Sequence, residues 1–240
     1  QWIMDGDEGD VKSESDPVAT HNLGLSAPQK IFKYISVNPS LSLKHIWVDK
    51  TFNATLDTAT NSLVKIEKPG FGTRTTGSFR VSFRTQIYGM FPIKLGALKG
   101  VRHVASPSIG YSYTPDFSEP LFGYDFGYFE TFKRSSEEIL LHDRFKGTRA
   151  GSTPKSKSQS MSLSLNNVFQ AKVGEDEEEK KIDLFSWKMS TSYNFVADSM
   201  NLANLRSSIR TKLGKKLNLD LSMTHDFYQL KPYEKISGVN

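Results

Sequence analysis

The chain has 240 residues, no cysteine and a formal net charge of +5, which fits one large domain and excludes disulfides, thiolate metal sites and a cysteine nucleophile. No apolar run approaches the about 18 residues of a membrane-crossing helix, so a helical membrane protein is excluded despite an ordinary mean hydropathy of −0.44. The basic residues are scattered singly rather than clustered, which argues against a nucleic-acid partner.

Residues 1–16 are acidic and without period, and read as a loop or loose end. The chain starts at Gln1 without a signal segment, which reads as a fragment or a processed chain. A weak strand is expected near Pro17 to Ser26, followed by a turn from Ala27 to Lys30. Residues 34–45 alternate: Ile35, Val37, Leu41 and Leu43 face one way, and Tyr34, Ser36, Asn38, Ser40, Ser42 and Lys44 the other. Pro39 interrupts this strand and points to an edge, a bulge or a weakened pairing. Residues 46–77 are expected as a long connection.

From Ser78 to Phe91 the chain reads SFRVSFRTQIYGMF. Phe79, Val81, Phe83, Ile87 and Phe91 share one parity, and Ser78, Arg80, Ser82, Arg84 and Gln86 the other. Further strands are expected at 101–114, 158–173, 184–196, 203–213 and 217–228, making eight, with a second long loop over 115–157. The two longest connections fall on the same side of an up-and-down meander, as the outer loops of an outer-membrane barrel do. In the last hairpin like faces meet only across an odd loop, so Gly214, Lys215 and Lys216 form the turn and Arg210 stands opposite Asp220. The fold class is therefore all-β: an antiparallel up-and-down meander over 17–240, part of a transmembrane β-barrel.

The polar parity carries Lys44, Arg80, Arg84, Arg102, Lys172, Lys188, Arg206, Arg210 and Lys212 against Asp220 and Asp226. Lining a lumen, these cations favour an anionic passenger such as a phosphorylated lipid or a sugar phosphate; an ordinary solvated lining is the competing reading. Trp47, Phe91, Tyr111, Tyr113, Trp187, Tyr193, Phe195 and Phe227 stand near strand ends and suit interfacial girdles, or else the core of a β-sandwich. Asp5, Asp7, Glu8 and Asp10, and the run from Glu175 to Glu179, have no EF-hand arrangement and read as solvated acidic loops. His21, His45, His103, His142 and His225 lack ligand spacing, and no nucleophile or phosphate-loop motif stands out. No enzyme, metal or cofactor is expected.

The stretch from Phe91 to Phe117, FPIKLGALKGVRHVASPSIGYSYTPDF, resembles the LptD family of lipopolysaccharide-assembly outer-membrane proteins. SAPQKIFKY over 26–34 and STSYNFVADS over 190–199 resemble its Bacteroidetes-type branch. The resemblance implies a large barrel that receives lipopolysaccharide from a periplasmic LptA-like bridge, encloses an LptE-like lipoprotein plug, and releases its passenger through a lateral opening into the outer leaflet. Lipopolysaccharide and outer-membrane lipid are then the partners, and the Gram-negative outer membrane the location, with the long loops extracellular. The chain shows no periplasmic jelly-roll segment, no cysteines for the disulfides some members of the family use and no terminal aromatic at Asn240, and eight strands fall short of the roughly two dozen expected. It is thus read as an internal piece of the barrel. Family members carry prolines in strands at the lateral opening; Pro39 is not assigned to it from sequence. The alternatives are a small independent outer-membrane barrel acting as an anchor, adhesin or pore, and a soluble β-sandwich binding module.

Overall fold

Alternation in the sequence becomes a ladder of strands in the computed structural model, which describes residues 2–4, 11–13, 16–57, 59–93, 98–133, 138–173, 180–213 and 217–228. In chain order these are β1 (Trp2–Met4), β2 (Val11–Ser13), β3 (Val18–Ser26), β4 (Gln29–Ile31), β5 (Ile35–Asp57), β6 (Ser62–Arg84) and β7 (Ile87–Phe91). There follow β8 (Leu98–Thr114), β9 (Phe129–Lys133), β10 (Ile139–Asp143), β11 (Ser158–Val173), β12 (Lys180–Asn194), β13 (Leu205–Leu213) and β14 (Leu217–His225). The main sheet runs β14-β13-β12-β11-β8-β6-β5-β3, so all eight expected strands are present in meander order. β4 pairs with β5 and β7 with β8, while β1–β2 and β9–β10 are separate ribbons.

Several expectations are corrected, the first being the loop or loose end over residues 1–16, where β1 pairs with β2. Residues 46–77 are not a loop: β5 and β6 run through most of them, each 23 residues long, with residues 59–61 in a turn before β6. A barrel crossing needs about 9–11 tilted residues, so each of these strands has roughly twice what one crossing uses. The alternation is hidden there because Ile46 and Val48 are apolar yet share the parity of Lys44, and both are buried at 1% and 3% exposure. The strand expected over 78–91 is broken at Thr85 and Gln86. Thr85 donates its amide to the Pro107 carbonyl over 3.3 Å, and Pro107 has no N–H to return, so the ladder lapses for two residues and resumes with Ile87 opposite Ala105.

The described residues divide into two compact units. The first comprises residues 1–26, 40–79 and 113–158. Its core is Ile46, Val48, Phe117, Tyr128 and Phe145, with Phe126, Phe129 and Ala150 packed around them. The segment expected as a bare loop over 115–157 therefore contains the β9–β10 ribbon and folds onto the apolar patch of β5. Polar groups fix it: Arg74, 4% exposed, donates to the Ala150 and Gly151 carbonyls and the Thr153 hydroxyl at 2.7, 2.8 and 2.9 Å. Asp143 accepts from the Phe145 and Thr153 amides and the Thr153 hydroxyl. Gly72 permits the closest approach, since a Cβ there would stand 2.6 Å from Thr51 Cγ2 and 3.1 Å from Val48 Cγ2.

The second unit comprises residues 27–39, 80–112 and 159–240. Its register follows the two-faced pattern: Asn166, Lys188 and Ser208 form one cross-strand row, and Ser186, Arg210 and Asp220 another. The opposite parity carries Leu217, Leu219, Leu221 and Met223, which expose between 36% and 56% of their surface. An outward apolar strand face in a chain with a full polar face is the pattern of a wall between lipid and a polar interior. The last hairpin has the register expected of a three-residue connection, Leu213 opposite Leu217 and Arg210 opposite Asp220, although residues 214–216 lie outside the described ones. A shift between Phe169 and Gln170 leaves Leu184 of β12 as an extra residue, so Asp183 and Lys181, not Leu184, pair with Gln170 and Lys172.

Candidate functional site

Residues on one parity of β8, β11 and β12 build a polar floor in the second unit. The Ser108 and Ser164 hydroxyls meet at 2.7 Å and those of Ser112 and Ser160 at 2.9 Å, which ties β8 to β11 through short side chains and leaves space above them. Two hollows result. One, of about 850 Å³, is lined by Lys30, Lys33, Tyr34, Ser36, Arg84, Thr85, Gln86, Tyr88, Ser106, Pro107, Ser108, Ser164, Asn166 and Lys188. The other, of about 360 Å³, lies among Arg80, Ser82, Arg84, Ser108, Ser112, Ser160 and Ser162.

Two ladders of this unit carry gaps, and the larger hollow is lined at the first of them. The first is the Thr85 gap opposite Pro107. The second lies in the hairpin of β3–β4 with β5. Ser26 faces Ser40 and Gln29 faces Val37, so the register is unchanged across Ala27 and Pro28. Ala27 donates its amide to the Pro39 carbonyl at 3.1 Å; Pro39 has no N–H to complete that pair. Pro28 occupies the next position, where the backbone nitrogen points away from β5. Among the described residues no strand pairs on that far side of β3 or β4. The hairpin ends in a turn in which Phe32 and Lys33 hold φ values of 51° and 65°, and the Thr85 hydroxyl donates to the Tyr34 carbonyl at 2.9 Å. Tyr88 donates its hydroxyl to Gln86 Oε1 at 2.6 Å, and the Arg102 guanidinium lies 5.0 Å from the Tyr88 ring centre.

Of the cations expected on the polar parity, Arg80, Arg84 and Lys188 line these hollows, and Arg102 stacks at the edge of the larger one. Arg206 stands opposite Ser190, Arg210 opposite Ser186 and Lys212 opposite Asn218, on the same face as Lys188 but farther along the sheet. Arg210 and Lys212 line a third hollow with Asp183 and Asp220. Lys172 lies beyond the register shift, opposite Lys181. Lys44 belongs to the first unit, opposite Asn22. Lys30 and Lys33 were not anticipated: the signal was present in QKI over 29–31, which alternates in phase with Ile35 and Val37, but a Phe-Lys turn carries no glycine or asparagine to announce it.

The aromatic positions divide. Trp47 packs edge-on to His45 and Phe71, and its indole donates to His45 Nε2. Phe195 lies 6.2 Å from Tyr111 and 4.9 Å from Tyr193, while Lys157 sits 6.0 Å over Tyr113. Phe91 faces Val101 at the other end of β8, and Phe227 is 49% exposed. Trp187 is not near a strand end. Because β12 begins at Lys180, Trp187 falls in its middle between Asn167 and Ile209, and donates its indole N–H to Ser207 at 2.7 Å. On that apolar parity His103 Nε2 lies 2.9 Å from Asn167 Oδ1, and its ring stacks on Phe169 at 4.3 Å. Asp5, Asp7, Glu8, Asp10 and residues 175–179 lie outside the described residues. Among the described residues no cluster of His, Asp or Glu is arranged to hold a metal ion.

An antiparallel meander with one exposed apolar face, one polar face rich in cations, and strands long enough to cross a bilayer defines a wall of an outer-membrane β-barrel. The LptD protein family matches residues 6–228, and the chain belongs to that family. Its work therefore lies in lipopolysaccharide transport at the outer membrane, with lipopolysaccharide as substrate and other Lpt components as partners. No curated protein matches the chain, and no solved structure does.

Proposed function

We propose that this chain forms the portion of an LptD barrel along which lipopolysaccharide passes on its way into the outer leaflet. The polar parity is the lumen wall, and the β3–β4 edge of the first hairpin is the side that opens. The observation that carries the reading is the gathering of Arg80, Arg84, Lys188, Lys30 and Lys33 on one polar floor beside a hairpin whose ladder lacks the Pro39 donor. A cationic floor attracts a polyanionic headgroup, and a strand that lacks a ladder bond parts from its neighbour at lower cost.

The aromatic spacing supports the same orientation. From Val101, beside Phe91, to Tyr111 the rise is ten residues of β8. At about 3.3 Å each and a tilt of about 45°, this is about 23 Å of height, close to the roughly 25 Å apolar band between aromatic girdles. The long 115–157 connection then lies outside the cell, and the Phe32–Tyr34 turn in the periplasm. An LptA-like bridge is placed at the latter end, and an LptE-like plug against the polar face.

The test is photocrosslinking in cells, with a photoreactive residue at Ser162 on the polar face. Charge reversal of Arg80, Arg84 and Arg102 together should lower lipopolysaccharide capture several-fold while heat-modified gel mobility, the mark of a folded barrel, is kept. Unchanged capture would reduce the cations to a solvated lining. A protein that stays monomeric without detergent would remove the barrel reading altogether.

A further inference from the structure

The hollows described above differ in charge. The third pairs Arg210 and Lys212 with Asp183 and Asp220, and Arg210 Nε is 2.9 Å from Asp220 Oδ1, so its cations are largely answered. The larger hollow brings Lys30, Lys33, Arg84 and Lys188 together with no carboxylate among its described lining residues. Hydroxyl and amide groups, with Tyr34 and Tyr88, make up nearly all the rest. Its walls are held in place. The Thr85 hydroxyl fastens the Tyr34 carbonyl, the Gln86 carboxamide holds the Tyr88 hydroxyl, and the turn carrying Lys33 is kept in left-handed backbone at Phe32 and Lys33.

From this we infer that the hollow is a docking station for a phosphomonoester, the phosphate of a phosphorylated sugar headgroup, engaged at the end of the sheet that carries the Phe32–Tyr34 turn. The inference rests on the reading of the polar face as a passage and names the group recognised there. A phosphomonoester dianion suits one guanidinium fork and several ammonium groups. The tyrosine rings offer a surface for an attached sugar ring, and about 850 Å³ falls within the roughly 300–1,000 Å³ of small-ligand sites. The station adjoins the proline-interrupted hairpin, so a headgroup held here waits beside the edge proposed to open.

The experiment measures binding to the full chain in zwitterionic detergent micelles, with lipid A bearing its phosphates, the same lipid with phosphates removed, and glucose 1-phosphate as a soluble competitor. Wild type should prefer the phosphorylated lipid at least tenfold, and millimolar glucose 1-phosphate should displace it. K30Q/K33Q should lose about tenfold in affinity for the phosphorylated lipid and leave the phosphate-free lipid unaffected, whereas K212Q, in the carboxylate-bearing hollow, should bind as wild type does. Since Lys30 and Lys33 are exposed, the double variant is expected to keep its heat-modified mobility; R84Q provides a second removal on another strand. Equal affinity for the two lipids, no displacement by the sugar phosphate, or wild-type binding by both K30Q/K33Q and R84Q would overturn the station. Capture of lipopolysaccharide at Ser162 in cells that persists alongside such a failure leaves the passage reading standing; its loss removes both.

Discussion

Arg210 and Asp220 face each other directly across the last hairpin, Nε to Oδ1 at 2.9 Å, with side chains 76% and 63% exposed. Their alignment matters more than their energy. An exposed cross-strand ion pair contributes roughly 0.2–1 kcal/mol, so a double-mutant cycle with R210Q and D220N should give a coupling below about 1 kcal/mol that shrinks in high salt. A coupling of several kcal/mol would mean that this face is far drier than its exposure indicates.

Arg74 is the opposite case, a buried cation whose contacts secure the cap of the first unit. R74A would orphan the Ala150 and Gly151 carbonyls and the Thr153 hydroxyl. With hydrogen bonds to a charged group contributing about 1.5–3 kcal/mol, the segment over 115–157 should open at least about 30-fold more often. Limited trypsin digestion reads this as faster cleavage after Lys146, Arg149 or Lys155, with the strands of the second unit still protected. Equal cleavage rates would show that the aromatic core alone holds the cap.

Gly72 tests how closely β5 and β6 must approach. G72A places a methyl where Thr51 Cγ2 stands 2.6 Å away, and should cost about 1–3 kcal/mol of local stability. T51S removes that methyl and should restore part of the loss in the double variant, measured by urea unfolding. Additive losses would assign the strain to Val48 Cγ2 instead.

The hairpin tip carries a pH dependence. The Thr60 hydroxyl and then the Ala59 amide hold the Asp57 carboxyl below its ordinary value. A depressed carboxyl contributes stability that is fully present above the unfolded value, about 3.9, and is lost as pH falls through the folded one. The Ala59 amide should therefore exchange slowly near neutral pH, relative to D57A, and this protection should begin to fade below about pH 4 and be lost only once the pH has fallen through the depressed value of the folded state. Protection that survives acid would mean that the turn is held by the Thr60 and Ser62 hydroxyl contact.

Restoring a donor at Pro39 should strengthen the first hairpin. P39A allows Ala27 and residue 39 to exchange both ladder bonds, worth about 0.5–1.5 kcal/mol. Slower amide exchange in β3 and reduced delivery of lipopolysaccharide to the cell surface are expected. Tighter pairing with undiminished delivery would place the opening elsewhere.

Much of the second unit was legible in advance because a strand with one face in lipid keeps strict alternation. The phase of Lys188, Arg206 and Arg210 and the Arg210–Asp220 pairing follow from side-chain period and an odd-length connection. Trp187 was misplaced because Asp183 and Leu184 straddle a register shift that breaks the pattern just where β12 was expected to begin.

The sequence by itself determined the class of fold, the two-faced strands and the sign of the polar face, since each of these depends only on the alternation of neighbours along one chain. Tertiary structure alone decided that Ile46 and Val48 meet Phe117, Tyr128 and Phe145 on the parity of Lys44. It also decided that the Thr85–Pro107 gap opens onto a hollow holding Lys30, Lys33, Arg84 and Lys188. Those features depend on which strand lies beside which, and the period of a strand carries no information about its neighbour.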